Sequence, residues 1–347
     1  MKVLHITDSL PSGGAFYAFR HVLRALGHRS WMMAPPPSYL SKAIRTIGGY
    51  CDPLQRRHFR RLLRDIHKPD LVHLHNFKSL GTAVIAACKD VGIPVVWSCL
   101  DYWCLCPRDT GYGCCNLSRR CGPRTWQPAK GRRYPLIAKL PLLGRRCRIM
   151  GWMNLLDAVI ALSEDSKQRL REGGLTAPPI HVVPLPIKMY SLTKHVDPNL
   201  VLFVGGPAPH KGKHVFDAAM KIVQAQRPEI VGKSMFGVER HQVLREIARA
   251  ACLVVPEQWP NPGPVVIAEA QLLGTPVVAS AIGGIPEMHP ARLCPHTYVE
   301  FFAASIFDIV SMSFPEHAGQ AGQKDADRRH DHATIRKKMD EVYQGCV

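Results

Sequence analysis

Two segments in the second half of the sequence carry residue types suited to binding a phosphate-bearing ligand. Lys211 is followed by Gly212 and a helical pattern, so its ammonium and the helix dipole can point at the same anion. An exposed basic loop is the alternative interpretation. Glu269 lies near the start of a predicted helix behind the loop PNPGP, residues 260–264. A carboxylate there can accept hydrogen bonds from both hydroxyls of a ribose. Alternatively, its negative charge only offsets the positive end of the helix dipole.

Glycine pairs follow predicted strands in both halves of the chain. Gly13 and Gly14 follow the pattern VLHIT, and Gly283 and Gly284 follow TPVVAS. Glycine lets bare backbone N–H groups approach a phosphate at the start of a helix. A glycine turn between a strand and a helix is often only a turn, so these pairs alone leave phosphate contact open.

The elements that must position these residues alternate between short apolar strands and amphipathic helices. This alternation indicates parallel sheets covered on both faces, with anion and nucleotide sites at the carboxyl ends of the strands. The predicted strands are 3–7, 70–75, 93–99, 158–162, 180–184, 200–206, 251–256 and 275–280. The predicted helices are 15–26, 82–90, 166–173, 214–226, 240–250, 265–274 and 335–344, and residues 315–333 are polar with helix-breaking residues.

Together these segments resemble the retaining GT-B glycosyltransferases of family four, also called glycosyltransferase group 1. The resemblance extends over nearly the whole chain, and its most specific part is E-A, G-x-P-V-V-A-S and G-G-x-P-E in fixed order. It is carried by SGGAFYAFRHVLRALGH (12–28), DLVHLHN (70–76), LDYWCLCPR (100–108), ALSEDSKQRL (161–170), HKG (210–212) and AEAQLLGTPVVASAIGGIPE (268–287).

The resemblance implies an α/β fold of the GT-B type, in which two Rossmann-like domains have parallel sheets facing an interdomain cleft. The proline-rich stretch 182–199 predicts the boundary. We expect an acceptor-binding domain over 1–186, a shortened nucleotide-sugar-binding domain over 187–330, and a C-terminal helix over 331–347.

The implied activity is transfer of a sugar from a nucleoside-diphosphate sugar to a lipid-linked or polysaccharide acceptor, with retention of configuration. The donor is a substrate, and neither a cofactor nor a metal is implied. By position, the catalytic residues implied are Lys211, which would bind the diphosphate, Glu269, which would hold the ribose, and Asn261, which would hydrogen-bond to the sugar hydroxyls. The substrate-binding residues implied are Gly13, Gly14, Asp101, Phe236, Gly237, Gly263, Pro264, Val265, Gly283 and Gly284.

Four departures from the family pattern bear on activity. Asn261 stands where the family has the first glutamate of E-x7-E, Gly206 where it has a basic residue, and Leu100 where it has a histidine. In addition, few residues separate the predicted helix 214–226 from the strand 251–256, where the family usually fits another strand and helix. These departures keep an alternative open, namely an inactive homologue that binds a nucleotide sugar or a glycan.

The charge balance predicts an anionic partner. The chain has 45 basic and 27 acidic residues, a net charge of +18, with 46% hydrophobic and 21% charged residues in an ordinary globular balance. Basic residues mixed with apolar ones over 119–148 and 56–64 fit an anionic membrane surface or a solvated basic face. A nucleic-acid-binding role would rest on charge alone, since no stacking motif or recognition helix accompanies it.

The apolar runs are too short for a membrane-spanning helix, and the first residues lack a signal-peptide pattern. We therefore expect a cytoplasmic protein, peripheral on the inner face of the cell membrane if the basic stretch binds lipid. Five of the twelve cysteines form C-x-C-x7-C-C-x5-C over 104–121, without the paired C-x2-C of zinc sites. Packed thiols, a metal and a redox role all stay open there.

Overall fold

The computed structural model divides the chain into two compact units. One unit is Met1–Pro184 together with Ala333–Val347, and the other is Leu185–His332. The structure describes residues 1–8, 19–23, 26–27, 31–33, 50–106, 110–112, 142, 144–187, 192, 195–312 and 315–347.

The first unit is built on a six-stranded parallel sheet. Its strands are β1 (Val3–Thr7), β2 (Trp31–Met33), β3 (Leu71–Leu74), β4 (Val95–Ser98), β5 (Ala158–Ala161) and β6 (Ile180–Val182), in the order β2-β1-β3-β4-β5-β6. Strands β1, β3, β4 and β5 are buried along their whole length. A strand buried on both faces needs a continuous apolar run, which is why these four were predictable.

The first unit contains the helices α1 (Pro53–Arg61), continued by a π-helical turn over Leu62–His67, α2 (Ala83–Asp90), α3 (Arg145–Met153) and α4 (Glu164–Glu172). Two of them, α1 and α4, begin at side-chain caps. The Asp52 carboxylate accepts the first free N–H groups of α1, from Leu54 at 2.9 Å and Gln55 at 3.2 Å. Ser163 and Ser166 form a reciprocal capping box at the start of α4.

The second unit has a five-stranded parallel sheet. Its strands are β7 (Asp197–Val204), β8 (Val231–Met235), β9 (Ala250–Val255), β10 (Val277–Ser280) and β11 (Arg292–Cys294), in the order β11-β10-β9-β7-β8. Its helices are α5 (Lys213–Gln226), α6 (Arg240–Arg249), α7 (Val265–Leu272), α8 (Val299–Val310) and α9 (Pro315–Arg329). Helices α5 and α8 pack together over a core that includes the stacked rings of Phe203 and Phe216.

The last helix, α10 (His332–Gln344), packs on the first unit from Ala333 onward. The apolar side chains of Ile335, Met339 and Val342 are buried. The Tyr343 hydroxyl lies 2.7 Å from Nδ1 of His73 in β3, a residue 270 positions earlier in the chain. This buried contact ties the end of the sequence to the centre of the first sheet.

The expected α/β architecture with parallel sheets is confirmed, and the structure adds elements that the sequence patterns missed. Between α5 and β9 the chain forms a strand that was not predicted, β8, and the predicted helix α6, so this stretch holds a strand and a helix although the sequence suggested that it was too short for them. Residues 315–329 form a helix despite their polar composition. Among the described residues, no helix combines the length and apolar character needed to cross a bilayer.

Candidate functional site

Lys211 lies at the carboxyl edge of the second sheet, where the sequence predicted it. It ends a short helical turn over Pro209–Lys211 and precedes Gly212, which has a φ of 74° at the start of α5. A Cβ at Gly212 would lie 1.7 Å from the carbonyl oxygen of Pro256, so a side chain there would push this loop off the end of β9. Lys211 is thereby held against the segment that follows β9.

The Lys211 ammonium is paired with Glu257, a residue that sequence reasoning missed. Its Nζ donates to Oε1 of Glu257 at 2.7 Å, and the Glu257 side chain is 4% exposed. The indole Nε1 of Trp259 donates to Oε2 at 2.5 Å, and the amide Nδ2 of Asn261 donates to Oε1 at 3.2 Å. The carboxylate therefore accepts from three side chains of the site.

Asn261 holds the loop between β9 and α7 in place through hydrogen bonds. Its Oδ1 accepts the backbone N–H of Gly263 at 3.1 Å, and its carbonyl oxygen accepts the N–H of Gly284 at 2.9 Å. Gly283 has a φ of 63°, and a Cβ on it would lie within 2.7 Å of the Asn261 backbone. The structure thus brings Lys211, Asn261 and the pair Gly283–Gly284 together at one edge of the sheet.

Glu269 is buried in α7, the helix that begins at Val265 directly after Pro264. Its side chain is fully buried and contacts the guanidinium of Arg240, the first residue of α6. A buried carboxylate is strongly disfavoured without such a partner. Arg240 therefore balances the charge of the residue predicted to hold the ribose.

Phe236 and Gly237 follow β8 at the same edge of the sheet. The Phe236 side chain is 69% exposed, although it is a large aromatic residue. A Cβ at Gly206 would lie 3.1 Å from Cε2 of this ring, so Gly206 and Phe236 are in close contact. Because the ring occupies the space beside Gly206, packing explains why a glycine stands at the position where a basic residue was expected.

The predicted residues of the first domain belong to the other unit. Asp101 follows β4, and its Oδ1 accepts the backbone N–H of Trp103 at 2.9 Å. Asp8 follows β1 and accepts the Ser79 hydroxyl at 2.7 Å, which places a second carboxylate at the carboxyl edge of this sheet. Gly13 and Gly14 lie outside the described residues, as does most of the basic stretch 119–148.

Three histidines of the first sheet form the one group of the described chain with metal-ligating spacing, the ring nitrogens of His5, His73 and His75 lying within 4.8 Å of one another. Nδ1 of His5 is hydrogen-bonded to Nε2 of His75 at 3.0 Å, and His73 uses both nitrogens, toward Tyr343 and Ser98. Burial, with a smaller effect of His5, holds the pKa of His75 far below its usual range. A metal ion would have to break these hydrogen bonds, so the cluster fits a buried polar network better than a metal site.

The described cysteines of the cluster 104–121 are buried thiols. Cys104 and Cys106 are buried, and burial raises the pKa of Cys104 to about 12. Cys99, the residue after β4, also has a pKa raised by burial. Such thiols are protonated and unreactive at neutral pH. Cys114, Cys115 and Cys121 lie outside the described residues.

Two signals in the sequence point to the residues that were missed. Glu257 comes two positions after β9, where side chains of parallel sheets face the binding edge, and Arg240 opens a helix just after the end of β8. Neither belongs to the motifs that carried the resemblance. Their partners, Lys211 and Glu269, lie 46 and 29 positions away along the chain, so the pairings depend on the fold.

Comparison with known proteins identifies the class. Residues 15–189, half of the chain, match Glycosyltransferase Family 4, and residues 233–294 match Glycosyl transferases group 1. The structure of HepE from Anabaena in complex with UDP and glucose is similar with a TM-score of 0.69 and 17% identity, covering 99% of each chain. Sucrose-phosphate synthase from Thermosynechococcus elongatus gives a TM-score of 0.69 at 15% identity, covering 99% of this chain and 98% of that one.

A protein from Klebsiella pneumoniae described as an uncharacterized 42.6 kDa protein in the cps region is 22% identical over 298 residues, covering 77% of this chain and 70% of that protein. The fold is that of a GT-B glycosyltransferase, the class that transfers sugars from nucleotide donors. The chain belongs to glycosyltransferase family 4.

Proposed function

We propose that the protein transfers a sugar from a nucleoside-diphosphate sugar to a lipid-linked or polysaccharide acceptor with retention of configuration. The observation that supports this most is the cluster at the carboxyl edge of the second sheet. There a lysine ammonium, a glycine-rich loop and a buried carboxylate lie around the starts of α5 and α7. This is the set of groups that a nucleoside diphosphate needs.

Each part of the donor has a partner in this proposal. Lys211 and the start of α5 bind the diphosphate. Glu269, whose side chain is fully buried against Arg240, accepts hydrogen bonds from the ribose hydroxyls when that guanidinium moves aside. The exposed ring of Phe236, next to Gly237, lies against the base. The backbone of Gly263, Pro264 and Val265 borders the sugar.

Transfer with retention requires no side-chain nucleophile in the front-face mechanism. The bond between the sugar and the diphosphate breaks as the acceptor hydroxyl attacks the same face, and a departing phosphate oxygen takes the hydroxyl proton. The protein's part is then to stabilise the charge that develops on the leaving diphosphate, which Lys211 is placed to do. Asp101 and Asp8, at the edge of the first sheet, would contact the acceptor hydroxyls.

The test is release of nucleoside diphosphate by the purified protein from a panel of uridine, guanosine and adenosine diphosphate sugars, with and without a crude lipid acceptor fraction. Uridine donors come first because HepE binds UDP in its structure. The anomeric configuration of the product, determined by NMR, must match that of the donor. Inversion would contradict the retaining mechanism while leaving the transferase activity in place.

An inactive, binding-only homologue is the second candidate, and the departures at Asn261 and Leu100 favour it. It predicts that nucleoside diphosphates bind to the purified protein while no donor in the panel is consumed. Turnover above that of a Lys211→Met control would exclude it.

We further propose that α1 lies against an anionic membrane. The exposed side chains Arg57, Arg61 and Arg64 belong to this helix and its π-helical continuation, while Phe59 faces the core. Binding to vesicles of 30% anionic lipid should fall with added salt and on reversal of these three charges to glutamate. Reversal of three exposed basic residues of the second unit, Lys221, Arg245 and Lys324, is the control with equal net charge. Equal loss in both variants would indicate net charge alone.

A further inference from the structure

Glu257 is the most enclosed carboxylate next to the phosphate-binding lysine. Its side chain is 4% exposed, and both of its oxygens accept hydrogen bonds, from the Lys211 ammonium, the Trp259 indole and the Asn261 amide. No motif of the sequence assigned it a role. A buried carboxylate is retained at a cost in solvation, and its three partners all belong to the candidate donor site.

Asn261 cannot supply the function of the carboxylate that it replaces. It is neutral and 7% exposed. Its amide nitrogen donates to Glu257, and its amide oxygen accepts the N–H of Gly263. Asn261 therefore fixes the loop, whereas the nearest negative charge lies on Glu257, 3.2 Å from its Nδ2.

We propose that Glu257 supplies the negative charge missing at position 261 and thereby sets the affinity of the site for the diphosphate; this rests on the proposed function. One N–H of the Lys211 ammonium is committed to Glu257, which leaves two for phosphate oxygens. A diphosphate bound by Lys211 then has only the lysine ammonium between itself and the Glu257 carboxylate. The two negative groups therefore repel each other. Glu257 acts through its charge and its hold on Lys211 and Asn261 and is a positioning residue.

A negative charge beside Lys211 weakens binding of a diphosphate, which is itself negative, and leaves binding of an uncharged nucleoside almost unchanged. A purely structural role for Glu257 would make no such distinction.

The two roles predict opposite effects on binding. We expect Glu257→Gln to bind nucleoside diphosphates about three- to tenfold more tightly, because one repulsive charge is removed. Binding of the corresponding nucleoside, which has no phosphate, should change less than twofold. If Glu257 only supports the loop, the substitution should weaken binding of both ligands together with a lower melting temperature.

Glu257→Gln also brings the glutamine amide opposite the Trp259 N–H, so two donors face each other. A second pair of variants, Trp259→Phe and Trp259→Phe with Glu257→Gln, removes that N–H from both members. The difference between them isolates the charge of Glu257.

The experiment is calorimetric titration of the full-length protein with uridine, guanosine and adenosine diphosphates and with the matching nucleosides. A raised ratio of diphosphate to nucleoside affinity on loss of the Glu257 charge in the Trp259→Phe pair supports the inference. An unchanged or lowered ratio in the Trp259→Phe pair overturns it. If the wild-type protein binds none of the diphosphates, the proposed function fails, and this inference fails with it.

Discussion

The aromatic ring of Phe236 lies beside Gly206, with Cε2 3.1 Å from the position that a Cβ would occupy. The two residues follow adjacent parallel strands, β8 and β7. The missing basic residue at position 206 is therefore coupled to an exposed aromatic ring in the same place. A side chain at position 206 would require this exposed ring to shift.

This contact predicts that Gly206 and Phe236 act through the same ring in nucleotide binding. If the ring stacks on the base, Phe236→Ala should lower nucleoside affinity by about 1 kcal/mol. Gly206→Ala should have a smaller effect in the same direction, because the added methyl group would lie 3.1 Å from Cε2 and push the exposed ring aside slightly. We expect the double variant to bind no worse than Phe236→Ala alone in calorimetric titration. Additive losses would show that the residues act independently.

Lys211→Met should weaken binding of nucleoside diphosphates by at least tenfold, since a charge-assisted hydrogen bond contributes about 1.5–3 kcal/mol. It should also lower the melting temperature, because Glu257 stays buried without its ammonium. Addition of Glu257→Gln should restore much of the stability but not the wild-type affinity. Calorimetry and thermal unfolding of the single and double variants separate the two effects. Wild-type affinity in Lys211→Met would remove this lysine from the site.

Glu269 should contribute to nucleotide binding through the ribose, and its charge partner in the protein is Arg240. Glu269→Gln should lower nucleoside affinity by about tenfold, because a neutral amide accepts the ribose hydroxyls less strongly than a carboxylate. The Arg240 guanidinium then loses its buried counter-charge, so Arg240→Gln in the same chain should recover stability. Binding of the matching 2′,3′-dideoxynucleoside is the control, since it lacks both hydroxyls and should not respond to the substitution. A loss as large for that ligand would show that Glu269 only supports the helix.

Restoring the family glutamate at position 261 should destabilise this protein. Asn261→Glu replaces the amide that donates to Glu257 with a second carboxylate in the same place. Two carboxylates at such a distance share a proton, so the pKa of one rises above its value in the unfolded chain. The destabilisation should therefore be large at pH 8 and shrink toward pH 5, as measured by urea unfolding. Asn261→Asp, with a shorter side chain, is the comparison, and a pH-independent loss would argue against the repulsion.

His330 makes the second unit sensitive to acid. Burial lowers its pKa from 6.5 to about 4, although Nδ1 is hydrogen-bonded to the carbonyl oxygen of Leu185 at 2.7 Å. Arg329 also lowers this pKa, and Asp325 opposes the change. The unfolded chain binds the proton near pH 6.5 and the folded chain near pH 4. The stability conferred by the neutral ring is therefore complete above pH 6.5 and is lost as the pH falls through that window, by about 3 kcal/mol.

The matched variant is His330→Asn, whose Nδ2 can donate to the same carbonyl without titrating. Its free energy of unfolding should depend less steeply on pH between 6.5 and 4 than that of the wild type. Equal slopes in urea unfolding would show that other groups, such as the buried His75, dominate the acid response.

The degree of burial determined which strands and helices could be predicted from the sequence. The central strands were predicted because both faces are covered, whereas β8 is an edge strand in which Gly232, Lys233 and Ser234 interrupt the apolar pattern. Helix α9 was hidden by its glycines. A Cβ at Gly319 would lie 2.0 Å from the carbonyl oxygen of Gly274, so this glycine is required for close packing after α7.

Only some residues of the candidate site could be predicted from the sequence, for a related reason. Lys211 and Glu269 stand in local patterns whose neighbours are near in sequence, namely a glycine turn and a helix start. Glu257 and Arg240 gain their significance from partners brought close by the packing of separate strands and helices. Spacing along the chain carries no signal for such pairs when the residues fall outside a known motif.

The contact between Tyr343 and His73 has a consequence for synthesis on the ribosome. The first unit is interrupted by Leu185–His332, so its sheet is translated long before the helix that supplies the Tyr343 hydroxyl. Until that helix emerges, the apolar surface that receives Ile335, Met339 and Val342 stays open to water or to chaperones. The second unit is continuous and can fold as soon as it is translated, whereas the first unit is completed only when α10 docks onto a sheet whose strands were made much earlier.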